Sequence, residues 1–241
     1  MLLLAPALLA APAAASTNDV PRRSADGGEP AQQRPTGCTR GGADFRTSGP
    51  RDRKRIAIGF DDGPSAFTTK VLRILDRFDS HATFFQVGSE IGGRAAAMRR
   101  ILDSQNEIGN HTMRHENLPS SDDLAATNRL IEEETGFRPC LFRPPGGQVD
   151  SALIDRASSE GLMTINWDVD PRDWSTPGAG AIASNVIANA RKGSIVVMHD
   201  GGGNRVQTLA ALPRILSHFR RRGYEFVTVT ELLGHEFTFA D

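Results

Sequence analysis

In Ile56-Ala57-Ile58-Gly59-Phe60-Asp61-Asp62-Gly63-Pro64 an apolar run stops at two adjacent acids and a turn. Strand chemistry ends there, so both carboxylates belong at the C-terminal mouth of a strand, where α/β folds keep their reactive groups. Asp-Gly-Pro is also ordinary turn punctuation, so the pair needs support from the rest of the chain.

Downstream, short β-type runs alternate with helical patterns. The strands expected are Arg55–Phe60, Ala82–Phe85, Glu107–Asn110, Cys140–Arg143, Met163–Trp167, Gly193–Met198 and Glu225–Val229. Between them fall helix-like stretches at Thr68–Phe78, Arg94–Ser104, Ser121–Thr135, Ser151–Glu160, Ala179–Ala190 and Gln207–Arg221. Val71, Leu72, Leu75 and Phe78 are spaced as one helix face, and Leu209, Leu212, Ile215, Leu216 and Phe219 repeat the pattern. Such alternation argues for parallel strands with crossover helices, closed as a barrel or open as a doubly wound sheet. No Gly-x-Gly-x-x-Gly follows the first strand, which counts against a dinucleotide site. Gly201-Gly202-Gly203 lacks the Lys-Ser/Thr of a phosphate loop and reads as a flexible loop.

The chain has 241 residues and a formal net charge of −1, enough for one sizeable core and no basis for general nucleic-acid or membrane-surface binding. Met1–Ala15 is apolar, ends in small residues, and is too short to span a bilayer, as in a secretory signal, although the usual basic start is missing. From Ser16 to Arg53 large apolar residues are almost absent, so this part is read as an arm or linker without regular structure. The folded domain is placed at residues 54–241. Two cysteines fit an oxidising compartment: Cys38 and Cys140 either pair, stapling the arm to the domain, or stay as two small unpaired residues.

Reactive groups recur at the expected strand ends. His111-Thr112-Met113-Arg114-His115 follows the strand ending at Asn110; histidines four apart on a helical turn offer two imidazoles to one metal. With one Asp, they make a recurrent ligand set for a catalytic divalent ion. Arg143-Pro144-Pro145-Gly146 offers an arginine able to hold a carboxylate. Asp170-Pro171-Arg172-Asp173-Trp174 offers an acid beside a large ring, and Met198-His199 closes a buried strand with a possible general acid. Asn110-His111-Thr112 matches a glycosylation sequon and is taken as coincidence. Each feature alone is as easily a turn, a surface histidine or a packing Trp. Five on one edge are not easily chance.

Taken together, and with His81-Ala82-Thr83-Phe84-Phe85 and Glu107-Ile108-Gly109-Asn110 as supporting text, Lys54 to Leu233 resembles the polysaccharide deacetylase family, carbohydrate esterase family four with its NodB-homology domain. The resemblance implies an α/β fold, a distorted (β/α) barrel with about seven parallel strands. It implies Asp61 as catalytic base, Asp62, His111 and His115 as metal ligands, and Arg143 as the partner of Asp61. It implies His199 as general acid tuned by Asp173, with Trp174 and Val197 lining an acetyl pocket and the Gly146 N–H helping to hold an oxyanion. The cofactor expected is one divalent ion, zinc first, with cobalt, nickel or manganese as alternatives. Gly146 stands where the family commonly has an aromatic residue, Val197 where Leu is commoner, and Gly59 where Thr or Ser is usual.

The activity expected is secreted, extracellular or wall-associated removal of N-acetyl groups from N-acetylglucosamine polymers such as chitin oligomers or peptidoglycan. The rivals are acetylxylan O-deacetylation, a glycan-binding relative without turnover, and hydrolysis of small amides. No nucleic-acid, protein or stably inserted membrane partner is expected.

Overall fold

The computed structural model describes residues 33–39 and 45–240. The apolar Met1–Ala15 segment and most of the arm that follows lie outside the described residues. In chain order the elements are β1 (Pro35–Cys38), β2 (Phe45–Arg46), β3 (Arg55–Gly63), α1 (Thr68–Arg77), β4 (Thr83–Gln86), α2 (Gly88–Ile91), α3 (Ala95–Asp103) and β5 (Glu107–Asn110). Then come α4 (Ser121–Thr135), β6 (Leu141–Phe142), α5 (Ser151–Ser159), β7 (Met163–Ile165), α6 (Ala179–Asn189), β8 (Ile195–His199), α7 (Val206–Arg220), β9 (Glu225–Val227), α8 (Val229–Leu233) and β10 (Phe237–Phe239).

One eight-stranded parallel sheet runs β2-β7-β6-β5-β4-β3-β8, with β9 pairing the first residues of β3. Single bridges from Val169 to Val196 and from Ser48 to Ser194 join the regions at its two ends, so the sheet curls into a barrel closed by isolated contacts. The amphipathic spacing read from the sequence packs as expected. Val71, Leu72 and Leu75 of α1 and Leu212, Ile215, Leu216 and Phe219 of α7 lie in one apolar cluster with Ile56, Ile58 and Phe60 of β3. Burial on this scale is the main favourable term for such a fold.

Two readings of the fold need correction. The arm was read as lacking regular structure, yet residues 35–38 and 45–46 are strands. β1 pairs antiparallel with β10 near the chain's other end, and β2 extends the barrel sheet beside β7. The expected strand Glu225–Val229 stops at Val227, because Thr228 caps α8 in a reciprocal pair with Glu231. Cys38 and Cys140 are bonded, with Cα atoms 6.0 Å apart, tying β1 to the approach of β6. Among the described residues no helix is long and apolar enough to cross a membrane.

Candidate active site

The register of the sheet assembles the site. Asp61 on β3 lies directly beside His199 on β8. Parallel neighbours sit about 4.8 Å apart with side chains on the same face. Immediately after Asp61 the β3–β4 pairing slips, and Asp62 takes a left-handed φ of 69°. That irregularity re-aims the second carboxylate. The two adjacent acids thus serve different partners.

Asp61 is 3% exposed and accepts a hydrogen bond of 2.8 Å from Arg143 Nη1. Arg143 is fully buried, its guanidinium carbon 4.1 Å from the Phe85 ring centroid and 5.6 Å from that of Trp167. Burial lowers its pKa and the Asp61 charge opposes this. The departure at Gly59 has its reason here: a Cβ there would stand 2.3 Å from Arg143 Nη1. A larger residue here would require the guanidinium to shift from this position.

His111 and His115 do not share a helical turn, contrary to the sequence reading. Both lie in the loop after β5, which turns through left-handed residues at Thr112 (φ 68°) and His115 (φ 62°). The loop is fixed by Asn110, whose side chain accepts from the Thr112 N–H (2.8 Å) and donates to Leu124 O and Asn128 Oδ1. Asn110 is completely buried, so the sequon is closed to modification.

His111 Nδ1 lies 2.7 Å from the Arg143 carbonyl. A carbonyl only accepts, so Nδ1 carries the proton and Nε2 presents a lone pair. That Nε2 faces Asp62 Oδ1 at 3.4 Å, and His115 Nε2 faces the same oxygen at 3.2 Å. Asp62 Oδ1 is buried without a hydrogen-bond partner. Lone pairs converging on an orphaned carboxylate oxygen suit a cation between them, and one ligand atom from each residue lies within 4.8 Å of the others. A carboxylate with two imidazoles fits a borderline divalent ion. Burial pushes the Asp62 carboxyl up, but both histidines outweigh it and hold the group below the ordinary carboxylate range. His115 is raised by the adjacent Asp62 carboxylate.

On the opposite flank His199 Nδ1 lies 2.7 Å from Asp173 Oδ1, and the His199 N–H donates to Asp173 Oδ2 at 3.0 Å. Burial lowers the His199 pKa, while the hydrogen bond and charge of Asp173 raise it to a net upward shift.

The substrate-side expectations place less uniformly. Val197 is buried on β8 two residues before His199, on the same strand face. Trp174 is 48% exposed, with Arg172 over its ring. Gly146 is exposed with φ 65°, and the nearest atom to an added Cβ would be Asn117 Oδ1 at 3.9 Å. The groove that opens from the metal-ligand side, with a volume of about 640 Å³, is lined by other residues: Ser65, Phe67, Ser89, Arg114 and Gly202 beside Asp62 and His115. Trp174, Val197 and Gly146 are not in its wall. Ser65, Phe67 and Ser89 escaped the sequence reading because they carry no reactive motif, and Arg114 because only its two flanking histidines were read as functional.

Known proteins share this chain's sequence pattern and fold. The family model described as polysaccharide deacetylase matches residues 48–165. A peptidoglycan-N-acetylglucosamine deacetylase from Bacillus cereus is 41% identical over 195 residues, covering 78% of this chain and 92% of that protein. The solved Bc1960 peptidoglycan N-acetylglucosamine deacetylase superposes with a TM-score of 0.77 at 30% identity, over 81% of this chain and 95% of the other. BA3943, a pseudoenzyme of carbohydrate esterase family four from Bacillus anthracis, gives a TM-score of 0.72 at 29% identity, over 78% and 68%.

Proposed function

Since this chain belongs to the polysaccharide deacetylase family, we propose that it is a secreted, metal-dependent hydrolase that removes N-acetyl groups from N-acetylglucosamine polymers, peptidoglycan or chitin oligomers. The observation that carries this reading is the convergence of Asp62, His111 and His115 beside the Asp61–His199 pair. Similarity reaches a pseudoenzyme as well, so membership alone does not supply turnover. The intact proton-transfer pair does, because binding a glycan needs neither an anchored base nor a buried acid.

A divalent ion held by Asp62, His111 and His115, zinc by donor chemistry, would polarise the acetyl carbonyl and acidify water. Asp61, held by its hydrogen bond from Arg143, removes the proton as water adds to the carbonyl carbon. His199, its pKa raised by Asp173, gives a proton to the nitrogen as the C–N bond breaks, so that acetate and amine leave. Arg143 works twice: its guanidinium holds the base and its carbonyl fixes the tautomer of His111.

The Cys38–Cys140 bond accords with export to an oxidising compartment, with Met1–Ala15 as the signal. Acetate release measured on chitin oligomers, peptidoglycan glycan and acetylxylan tests the reading. Activity on the amide substrates that vanishes with chelator and returns with zinc is expected. Release from acetylxylan alone would transfer the function to ester chemistry, and release from none would refute it.

A further inference from the structure

The run from Gly201 to Thr208, read from sequence as a flexible loop entering a helix, touches both halves of the site. On one side its backbone lies against Asp62 at the end of β3. A Cβ on Gly201 would stand 1.8 Å from the Asp62 carbonyl oxygen, and one on Gly202 2.3 Å from Asp62 Oδ2. These glycines are glycine because nothing larger fits.

On the other side three polar side chains, Arg205 just before α7 and Gln207 and Thr208 in its first turn, bind the segment after β7. Arg205 is 4% exposed and donates through Nε to Gly201 O (2.6 Å), through Nη2 to Gly202 O (3.0 Å) and through Nη1 to Trp174 O (3.4 Å). Its partners among the described residues are carbonyls, with no carboxylate. A guanidinium buried without a counter-ion is costly unless its hydrogen bonds are satisfied, and here they knit the glycine run to the Trp174 backbone. Gln207 Oε1 accepts from the Gly178 N–H at 2.6 Å. Thr208 Oγ1 donates to Asp173 Oδ2 at 2.7 Å, with both groups buried. The other bonds of Asp173 go to His199, so Thr208 anchors this carboxylate to something other than the residue it orients.

We propose that Thr208 and Arg205 are positioning residues for the deacetylation reaction: Thr208 fixes the Asp173 carboxylate that aims His199, and Arg205 fixes the spacing between the Trp174 segment and the glycine backbone lying on Asp62. This rests on the deacetylase reading. Neither residue lines the groove beside Asp62 and His115.

The test compares Thr208→Val and Thr208→Ser, and Arg205→Met and Arg205→Lys, in the full chain. Kinetics are measured on a chitin oligomer, and the His199 Nδ1 proton is followed by NMR. Thr208→Val is expected to lower kcat by about 10- to 100-fold with KM changed by less than about twofold, the penalty of a slightly misplaced group. It also moves the Nδ1 resonance. Thr208→Ser, which keeps the hydroxyl, stays within about threefold of the native rate with the native resonance. Arg205→Lys loses roughly tenfold in kcat, since one ammonium cannot span three carbonyls in the fork geometry, and Arg205→Met loses more. Unchanged kcat and resonance in Thr208→Val, or equal losses in Val and Ser, would overturn the role of Thr208. Native kcat in Arg205→Lys would overturn that of Arg205. A native chain that releases no acetate refutes the reaction, whereas the resonance still judges the Asp173 anchor.

Discussion

Two carboxylates at the mouth of this barrel and one at its floor are buried in opposite ways. At the mouth, Asp61 has the Arg143 guanidinium and Asp62 has two imidazoles. At the floor, Glu107 opens β5 fully buried with no cation among its hydrogen-bond partners. It accepts from Thr83 Oγ1 (2.8 Å) and the Thr230 N–H (3.2 Å), and its other oxygen lies 2.5 Å from Thr230 Oγ1. Thr83 Oγ1 in turn accepts from the Val229 N–H, so this cluster fastens α8 beneath the barrel. Burial pushes Glu107 up to about 7, and the threonine bonds only partly offset it. A carboxyl facing two imidazoles is held charged, as at Asp62, whereas one facing only hydroxyls and an amide, as at Glu107, keeps its proton up to about pH 7. Charge at the mouth is what a reaction uses; a hydrogen-bonded carboxyl at the floor is what a seal uses.

The largest effect that could break this contrast is at Asp61. Replacing it by Asn keeps an acceptor for Arg143 but removes the base, and acetate release should fall by about 10²- to 10⁴-fold while glycan binding persists. A rate within a few fold of native would mean that Asp61 is not the proton acceptor. Next is Arg143→Met. Stripping the cation from a pair whose side chains are 0% and 4% exposed should cost about 3–5 kcal/mol in urea unfolding, because Asp61 stays buried. A loss below about 1 kcal/mol, as for an exposed pair, would show that the mouth does not depend on its cation.

A smaller effect tests the floor. With its pKa raised from an ordinary 4.5 to about 7, folded Glu107 holds a proton that the unfolded chain releases. Its contribution to stability is therefore full below pH 4.5 and is lost as pH rises through 7, by about 3 kcal/mol at most. Asp200, which burial also pushes to about 7, gives a fall of the same sign, so the difference between native and Glu107→Gln isolates one group. Gln can donate to Thr230 Oγ1 and accept from the other two donors. The variant should match the native chain near pH 4.5 and be the more stable at pH 8 by urea unfolding. Parallel curves would show that Glu107 is charged in the fold.

The mouth was far more legible in sequence than the floor or the supports. Asp61, Asp62, His111, Arg143 and His199 stand at or just past strand ends, with His115 and Asp173 in the loops that follow, and a parallel sheet brings such ends together. The helical reading of His111 and His115 failed because spacing of four says nothing about Thr112 and His115 adopting left-handed φ. β1 and β10 were invisible because a Pro- and Gly-containing segment becomes a strand only by pairing with one about 200 residues away. Gly201–Gly203 looked flexible because its constraint, the backbone and carboxylate of Asp62, is remote in sequence. Thr208 and Arg205 act through other residues and carry no motif of their own.

Calorimetric titration of zinc into the metal-stripped chain bears most directly on the central assignment. One ion per native chain is expected, with binding lost in Asp62→Ala and in His111→Ala, and with Asp61→Asn still binding one. Native-like zinc binding in both ligand variants, or none in the native chain, would contradict it.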